Sequence, residues 1–559
     1  MTDIRLLVKK LRNLEKEKLT VRDRFILAFL TVGVFLILFL LVYCIWYIKN
    51  ERSIAHYLPA DNTVAYVEVE NLNLPQKLQT YPGWNADQIE NGLKKFFDLD
   101  YKTAFSTWAD GKFGLAGLKG ADDQTTAVLF IKVDSRRKAL LFFQSLALAG
   151  EQLIQDGTAL TPVYSYSQSQ HFAFSFIGPY VFIAPTAELL KPIQETFLDK
   201  VKPLSDEKNY MKTASNMPRQ SWMEGYVNYR ELNFRDPGIR QLTEPLKYVI
   251  NNFAWSVRQA QSGFQFNTLV NLTPNLLSSK NDPGSRAKFS YKLTDYVGSK
   301  GLALYMGGAN LADEWKNTLE SISNLNPAYG LILEGLLRAQ TSKIFGDDVD
   351  LRNDIYPLIE GEYALTVGQA EKGGMDLRLI LGHSDQGFAM KKLEKLSRGF
   401  RLLAASFAPH LRIVALPDGT ESRELVADDS KVEEKDETYQ GYSVHCIEVT
   451  DTNYGLCYTA TENLIILANH YTALQQSIDL SMKPEFVLSQ DQPFRQTLSN
   501  LSHVSDEITF TNIQNALPLL INSTYGPMLE PVLKPFEAAT WVKRYFDDGV
   551  SAEGYLLIK

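Results

Sequence analysis

Phe25 to Ile48 reads FILAFLTVGVFLILFLLVYCIWYI, a run without a single charge, and it limits every reading of the rest of the chain. As a helix it rises about 36 Å at ~1.5 Å per residue, enough to cross a hydrocarbon core of roughly 30 Å with some tilt. A helix closes its backbone hydrogen bonds internally, so lipid can surround it without stranding polar groups. Tyr43, Trp46 and Tyr47 gather at the distal end, where amphipathic rings favour the water boundary. A core helix of a soluble protein keeps a polar face, and this stretch has none. The sequence therefore predicts one transmembrane helix over 25–48.

The flanks give the orientation. Residues 1–24 hold eight basic groups against four acidic ones, while only Lys49 and Arg52 follow the span before Lys77. Positive charge stays on the cytoplasmic side, so the amino terminus is expected inside and the remainder outside the bacterial cytoplasmic (inner) membrane, in the periplasm. The run exceeds the ~7–15 residues of a signal-peptide core, and no small-x-small cleavage site follows, so the span is expected to stay as an anchor. Ile4, Leu7, Val8, Leu11 and Leu14 repeat at helical spacing among the lysines and arginines, which suits a helix lying on the anionic inner leaflet, the alternative being a docking helix for a cytosolic or membrane partner. The lipid bilayer is thus the first expected partner. Taking the +4 of residues 1–24 from the whole-chain −8 leaves −12 on the exported part, a poor footing for phosphate backbones. No nucleic-acid partner is expected.

The roughly 510 residues beyond the span are too many for one ordinary domain, and an apolar content of 45% excludes general disorder. The segment LPADNTVAYVEVENL, 58–72, opens with a β-rich run, and a helical stretch follows around 85–99. Gly111–Leu118 and Thr126–Val133 read as a hairpin, and Asp134-Ser135 starts a helix through about Ile154. Strands Val163–Tyr166, Phe172–Ile177 and Tyr180–Ala184 precede a helix from Thr186 to Leu198. Strands near Trp222–Asn228, Phe253–Gln259 and Gly263–Leu272 complete this unit.

The same order then recurs. Gly301–Met306 and the helix Leu311–Ser323 repeat the opening strand and helix, and GEYALTV with MDLRLIL repeats DGKFGLAGL with TAVLFIKV. Asp385 starts a helix in the place of the Asp134 helix. YVFIAPTAELL resembles LIILANHYTALQQ, and ATWVKRYFDDGVSAEGYLLI near the end mirrors FAWSVRQAQSGFQFNTLVNL before the midpoint. The expected fold class is α+β: a single transmembrane helix followed by a duplicated α+β ectodomain of mainly antiparallel sheets with packed helices. The copies are placed at 58–273 and 296–559, with a linker over 274–295 and a mobile insertion at about 416–440.

The LPADNTVAYVEVENL run directly after a single amino-terminal span, with strand pairs of the DGKFGLAGL type, resembles a family of uncharacterised bacterial exported proteins classed as a domain of unknown function. The resemblance covers most of 58–559. It implies an anchored envelope protein of α+β build and supplies no catalytic residues.

Motifs that carry chemistry are weak. In GHSDQG, His383, Ser384 and Asp385 adjoin, but the spacing is not the G-x-S-x-G of a nucleophile elbow, and Ser384-Asp385 reads more simply as a helix cap. DDVDLRND, 347–354, concentrates carboxylates without the glycine and terminal glutamate of a calcium loop. Gly307-Gly308 follows a strand without a phosphate-binding glycine signature, and a turn is the better account. The histidines at 56, 171, 383, 410, 445, 470 and 503 show no metal-ligand spacing. Asn271, Asn500 and Asn522 begin N-x-[ST] sequons that matter only in a eukaryotic secretory route. Cys44 lies in the span. Cys446 and Cys457 fall on adjacent expected strands around Asp451–Asn453, and the ladder register decides between a disulfide and two buried free thiols. No catalytic residue, cofactor or metal is expected. The leading expectation is a non-enzymatic scaffold or assembly factor that binds a membrane or periplasmic protein. Carriage of a lipid or other apolar ligand, suggested by the aromatic strands Phe172–Phe182, is second, and an extracytoplasmic hydrolase a distant third.

Overall fold

The computed structural model describes residues 53–559 apart from 71–77, 79–106, 121–123, 148–150, 159–160, 168–171, 215–216, 219–220, 233–244, 274–288, 326, 371–373, 416–419, 451, 453–454, 503–504, 522–525 and 547–548. The span at 25–48, the basic segment before it and the helical stretch at 85–99 lie outside the described residues. Among those described, no helix is long and apolar enough to cross a membrane.

The first half contains β1 (Thr63–Val69), β2 (Ala109–Lys119), β3 (Thr125–Val133), α1 (Arg136–Ser145), β4 (Leu153–Thr158), β5 (Thr161–Tyr166), β6 (Ala173–Ile177) and β7 (Tyr180–Ala184). It continues with α2 (Lys191–Phe197), α3 (Lys208–Ala214), β8 (Met223–Asn228), β9 (Ile250–Ala260) and β10 (Gly263–Leu272). The second half runs through β11 (Leu302–Gly308), α4 (Leu311–Leu325), α5 (Pro327–Phe345), β12 (Tyr363–Gln369), β13 (Met375–Gly382), α6 (Gln386–Ser406), β14 (His410–Ala415) and β15 (Glu421–Val426). Then come β16 (Val432–Tyr439), β17 (Tyr442–Val449), β18 (Gly455–Ala460), β19 (Leu464–Ala468), α7 (Tyr471–Met482) and α8 (Gln492–Leu498). The chain closes with β20 (Glu507–Asn512), α9 (Ile513–Ile521), α10 (Gly526–Leu533), β21 (Phe536–Phe546) and β22 (Gly549–Ile558).

The architecture is α+β, with every described strand pair antiparallel. In the first half the strands lie in the order β4-β5-β6-β7-β3-β2-β1-β8-β9-β10. The second half lies as β16-β17-β18-β19-β13-β12-β11-β20-β21-β22, the same scheme strand for strand. The last strands of the halves, β10 and β22, pair with each other and fuse both into one sheet. Their register is informative. Asn267, fifth in β10, faces Glu553, fifth in β22. Equivalent residues facing each other across an antiparallel ladder mark a local two-fold axis.

Local sequence explains the elements. β1 alternates, burying Val64, Tyr66 and Glu68. Asp385 accepts the Phe388 N–H and caps α6, and Asp491 does the same for Phe494 at α8, with Pro493 in the first turn. Among the described strands, the free edges of the sheet are β4 and β16. Along β16, Glu433, Glu434, Lys435, Asp436 and Glu437 are exposed, and such charges discourage pairing with another chain.

Some expectations are corrected. The helix begun at Asp134 stops at Ser145, and Leu153-Ile154 belong to β4. The positive φ of Gly157, 94°, lets that strand fold back on β5, and ladder pairing overrides helix continuation. Of the insertion expected at 416–440, Glu421–Val426 pairs with β14, and Val432–Tyr439 is the edge strand β16. The final residues of the expected linker 274–295 join the second core, where Phe289 and Leu293 are buried. Likewise Ile54 and Ala55, before the expected domain start at Leu58, are wholly buried in the first core. The long helix α5 has no counterpart among the expected elements.

Candidate functional site

The matching scheme allows each buried position to be compared with its mate in the other half. Counted along equal-length elements, Tyr210 of α3 stands where α8 has Phe494, and Tyr226 of β8 where β20 has Phe510. Glu224 matches Ile508. Asn252 and Ser256 of β9 match Ala538 and Val542 of β21, and Asn271 of β10 matches Leu557 of β22. The second-half set is apolar and packs into one core with Tyr305. In the first half those positions form a polar seam.

The seam is continuous through strand pairing. Glu68 faces Glu224, Glu224 faces Ser256, Ser256 faces Asn267, and Asn267 faces Glu553. Paired residues of antiparallel strands share a face, so one row of side chains leads from inside the first half to the two-fold axis. Much of it is unsatisfied. Glu68 Oε2, Asn252 Oδ1, Ser256 Oγ, Asn267 Nδ2 and Asn271 Nδ2 are buried with no hydrogen-bond partner among the described residues. At the axis the row opens into a cleft of about 540 Å³, bordered by Asn267, Leu269, Asn271, Ser551, Glu553 and Arg544, with Lys212, Met217 and Ser502 at its walls.

Charge is concentrated at the inner end. Glu68, 2% exposed at its side chain, forms an ion pair with Lys112. Burial first, and then the facing Glu68, push the Glu224 carboxyl up to about 7, while Lys112 opposes the rise. Burial alone would lower the Lys112 ammonium, but the charge and hydrogen bond of Glu68 raise it. Tyr66 and Tyr210 share a hydrogen bond of 2.9 Å between their hydroxyls, and burial raises Tyr210 to about 12.

A second acidic group in the other half is fully networked by contrast. Tyr363 Oη donates to Glu314 at 3.2 Å, and Lys543 Nζ and Tyr545 Oη donate to Glu507 at 2.9 and 2.5 Å. Burial, then Glu507, raise Glu314 to about 7.

The sequence motifs fall elsewhere. His383 accepts the Asp385 N–H at 3.0 Å and stacks on Phe388, and Asp385 alone of the three caps α6. In the acidic run, Asp350 caps the turn Leu351–Ile355. Burial would raise Asp354, but hydrogen bonds from Lys392 and Lys395, at 2.7 and 2.5 Å, hold it at about 2. Gly307 and Gly308 are not in a turn; both sit inside β11, paired on either side. Asn271, the first sequon, is buried in β10. Cys446 and Cys457 are ladder partners on β17 and β18, with Cα atoms 4.0 Å apart and their sulfurs bonded. The aromatic strands fill the core: Phe174 stacks on Phe143 at 4.1 Å and on Tyr164 at 5.0 Å. Among the described residues no group of three or more His, Cys, Asp or Glu is placed to hold a metal.

Residues 32–401 match the family described as protein of unknown function (DUF3352). The chain belongs to the DUF3352 family. In this DUF3352 protein the match takes in the whole first half, with Glu68, Glu224, Ser256 and Asn267 of the seam, and the second as far as α6, while Glu553 lies beyond it. No curated protein matches it. Among solved structures, crystal forms I, III and IV of TP0453 align with 9, 10 and 11% identity. They cover 42, 41 and 38% of the DUF3352 chain and 82, 82 and 80% of their own, with TM-scores of 0.25, 0.25 and 0.24. The seam escaped the motif search because its residues are dispersed over five elements. The signal that reveals it is the aligned pair FAWSVRQ and ATWVKRY, where Ser256 stands against Val542.

Proposed function

We propose that this is a single-pass envelope protein, anchored by 25–48 with a cytoplasmic amino terminus, whose extracytoplasmic body binds another protein as a scaffold or assembly factor of a membrane complex. The observation that carries the binding role is an apolar surface, uncovered among the described residues, on elements that have no counterpart among the described residues of the first half. β14 and β15 form a separate two-stranded sheet whose one face carries Leu411, Ile413 and Leu425, the last 72% exposed. A hairpin of two strands is marginal in water without something packed on its apolar face. α5 adds Leu331, Ile332 and Leu336, also exposed. A charge of −12 on the exported part repels an anionic lipid surface, which favours a protein as the occupant. Only residues 49–52 separate the span from the folded body, so Ser53 lies within roughly 18 Å of the span's end at ~3.6 Å per residue.

Two measurements test this. Protease added to intact spheroplasts is expected to remove the body, and full protection with the cytosolic control intact refutes the topology. From mild detergent, the wild-type chain should retain a reproducible companion that Leu425→Asp loses without a change in melting temperature. A chain that retains no companion, or a variant that keeps it, refutes the scaffold role.

A further inference from the structure

The two halves share one strand order, so their free edges among the described strands, β4 and β16, occupy equivalent places and can be compared directly. Five of the eight residues of β16 are charged, Glu433 to Glu437. β4 reads LIQDGT, and Asp156 is its one charge. Charge along an edge keeps another strand from docking on it. The second half is defended in this way and the first half is not.

The backbone of β4 is set out for pairing. The Ser167 N–H donates to the Gln152 carbonyl at 3.0 Å, which makes Gln152 and Ser167 a hydrogen-bonded pair at the mouth of the β4–β5 ladder. Such pairs alternate along antiparallel strands, so Ile154 opposite Ser165 and Asp156 opposite Val163 turn their main-chain groups toward β5. Leu153 and Gln155 turn theirs away, and among the described residues no backbone group bonds to them on that side. The side chains add an apolar residue on each face. Leu153, with Leu146 and Tyr164, packs against the aromatic core under α1 and is only partly buried, and Ile154 on the opposite face is 45% exposed.

We propose that β4 takes an extended segment of a partner protein as an added strand, with alternate apolar side chains of that segment lying beside Leu153 on the α1 face of the sheet. An outward row of main-chain donors and acceptors selects extended polypeptide, because a strand repeats the complementary groups at the same spacing and a lipid or small ligand does not. The main-chain bonds supply affinity, and burial beside Leu153 on one face fixes the register. The edge belongs to the first half, apart from the apolar surface of β14, β15 and α5. It therefore does not depend on the scaffold reading, and Leu425→Asp should leave it intact.

The probe is a fluorescein-labelled octapeptide, Lys-Thr-Val-Thr-Val-Thr-Val-Lys, titrated by anisotropy into the full chain in mild detergent. Its control carries the same side chains and charges but is N-methylated at the four central residues, which removes main-chain donors from both of its edges. The probe should bind and the control should not. Gln155→Pro removes an outward N–H that β5 does not use, so it should leave the melting temperature unchanged and weaken binding about tenfold or more. Gln155→Ala keeps that N–H and should bind within about twofold of wild type. Hydrogen exchange read by mass spectrometry should show protection by the probe over 153–157 and none over 432–439, the charged edge. Absence of binding, equal binding of the N-methylated control, unchanged affinity in Gln155→Pro, or protection outside β4 overturns the proposal. So does concentration-dependent self-association that Gln155→Pro abolishes, which would assign the edge to a second copy of this chain.

Discussion

Replacing Glu224 by glutamine isolates what the inner end of the seam does to stability. Its carboxyl titrates at about 7 in the folded chain against 4.5 ordinarily, first through burial and then through Glu68. Below pH 4.5 the group is protonated in both states and has no differential effect. Between 4.5 and about 7 the unfolded chain releases its proton while the folded chain still holds it, so stability falls as pH rises, and the loss is complete above about 7. At ~1.36 kcal/mol per pH unit the full effect is roughly 3 kcal/mol, and partial water access at Glu224 reduces it to about 2. Glu224→Gln stays neutral, so it should be more stable than wild type by about 2 kcal/mol at pH 8 and equal to it near pH 4. For a unit of this size that is a rise of about 4–8 °C at pH 8, at ~2–4 °C per kcal/mol. Melting curves by near-ultraviolet circular dichroism across this pH range measure it. Glu314, raised to about 7 in the other half, gives wild type a parallel slope that Glu224→Gln leaves in place. A gain of equal size at both pH values, or a loss at pH 8, refutes the account.

Two further outcomes follow from named pairs. Cys446 and Cys457 should resist alkylation until a reductant is added, then each gain one label by mass; equal labelling with and without reductant excludes the bond. Asp354→Asn leaves Lys392 and Lys395 without their buried counter-charge and should cost about 3 kcal/mol at pH 7 in a thermal melt. The wild-type contribution of Asp354, whose carboxyl is held at about 2, is present above the ordinary carboxylate range and lost as pH falls through 2. The cost should therefore shrink in strong acid, and a variant as stable as wild type at pH 7 removes the argument.

Much of the fold was legible because its signals are local. Alternation marked β1, the Asp385 cap fixed the start of α6, and the Trp255 and Trp541 segments exposed the recurring order. The failures share one cause: tertiary pairing overrode local preference. Leu153-Ile154 continue a helical pattern but join β5, and the charged run 432–439 reads as part of a mobile hairpin insertion yet serves as the edge strand of the main sheet, where charge on both faces is an asset. The seam was illegible because no residue in it is unusual alone. Tyr210, Ser256 and Asn271 become informative only beside Phe494, Val542 and Leu557, and that comparison needs the register of both halves.

The two halves should consequently differ in stability although they share a topology. β8 and β9 carry Glu224, Asn252 and Ser256 where β20 and β21 carry Ile508, Ala538 and Val542, so the first half forgoes apolar burial and leaves polar groups unpartnered. The ladder between β10 and β22 makes each half a neighbour of the other's last strand, and the apolar half can hold the polar one in place. Even a net deficit of ~3 kcal/mol would be roughly 100-fold in the opening equilibrium. Hydrogen exchange read by mass spectrometry on the full chain compares matched strands under one condition. Amides of β8 and β9 are expected to exchange faster than those of β20 and β21 by about that factor. Equal protection in the matched strands would mean that the unpartnered polar groups of the seam carry no energetic cost, which refutes the argument.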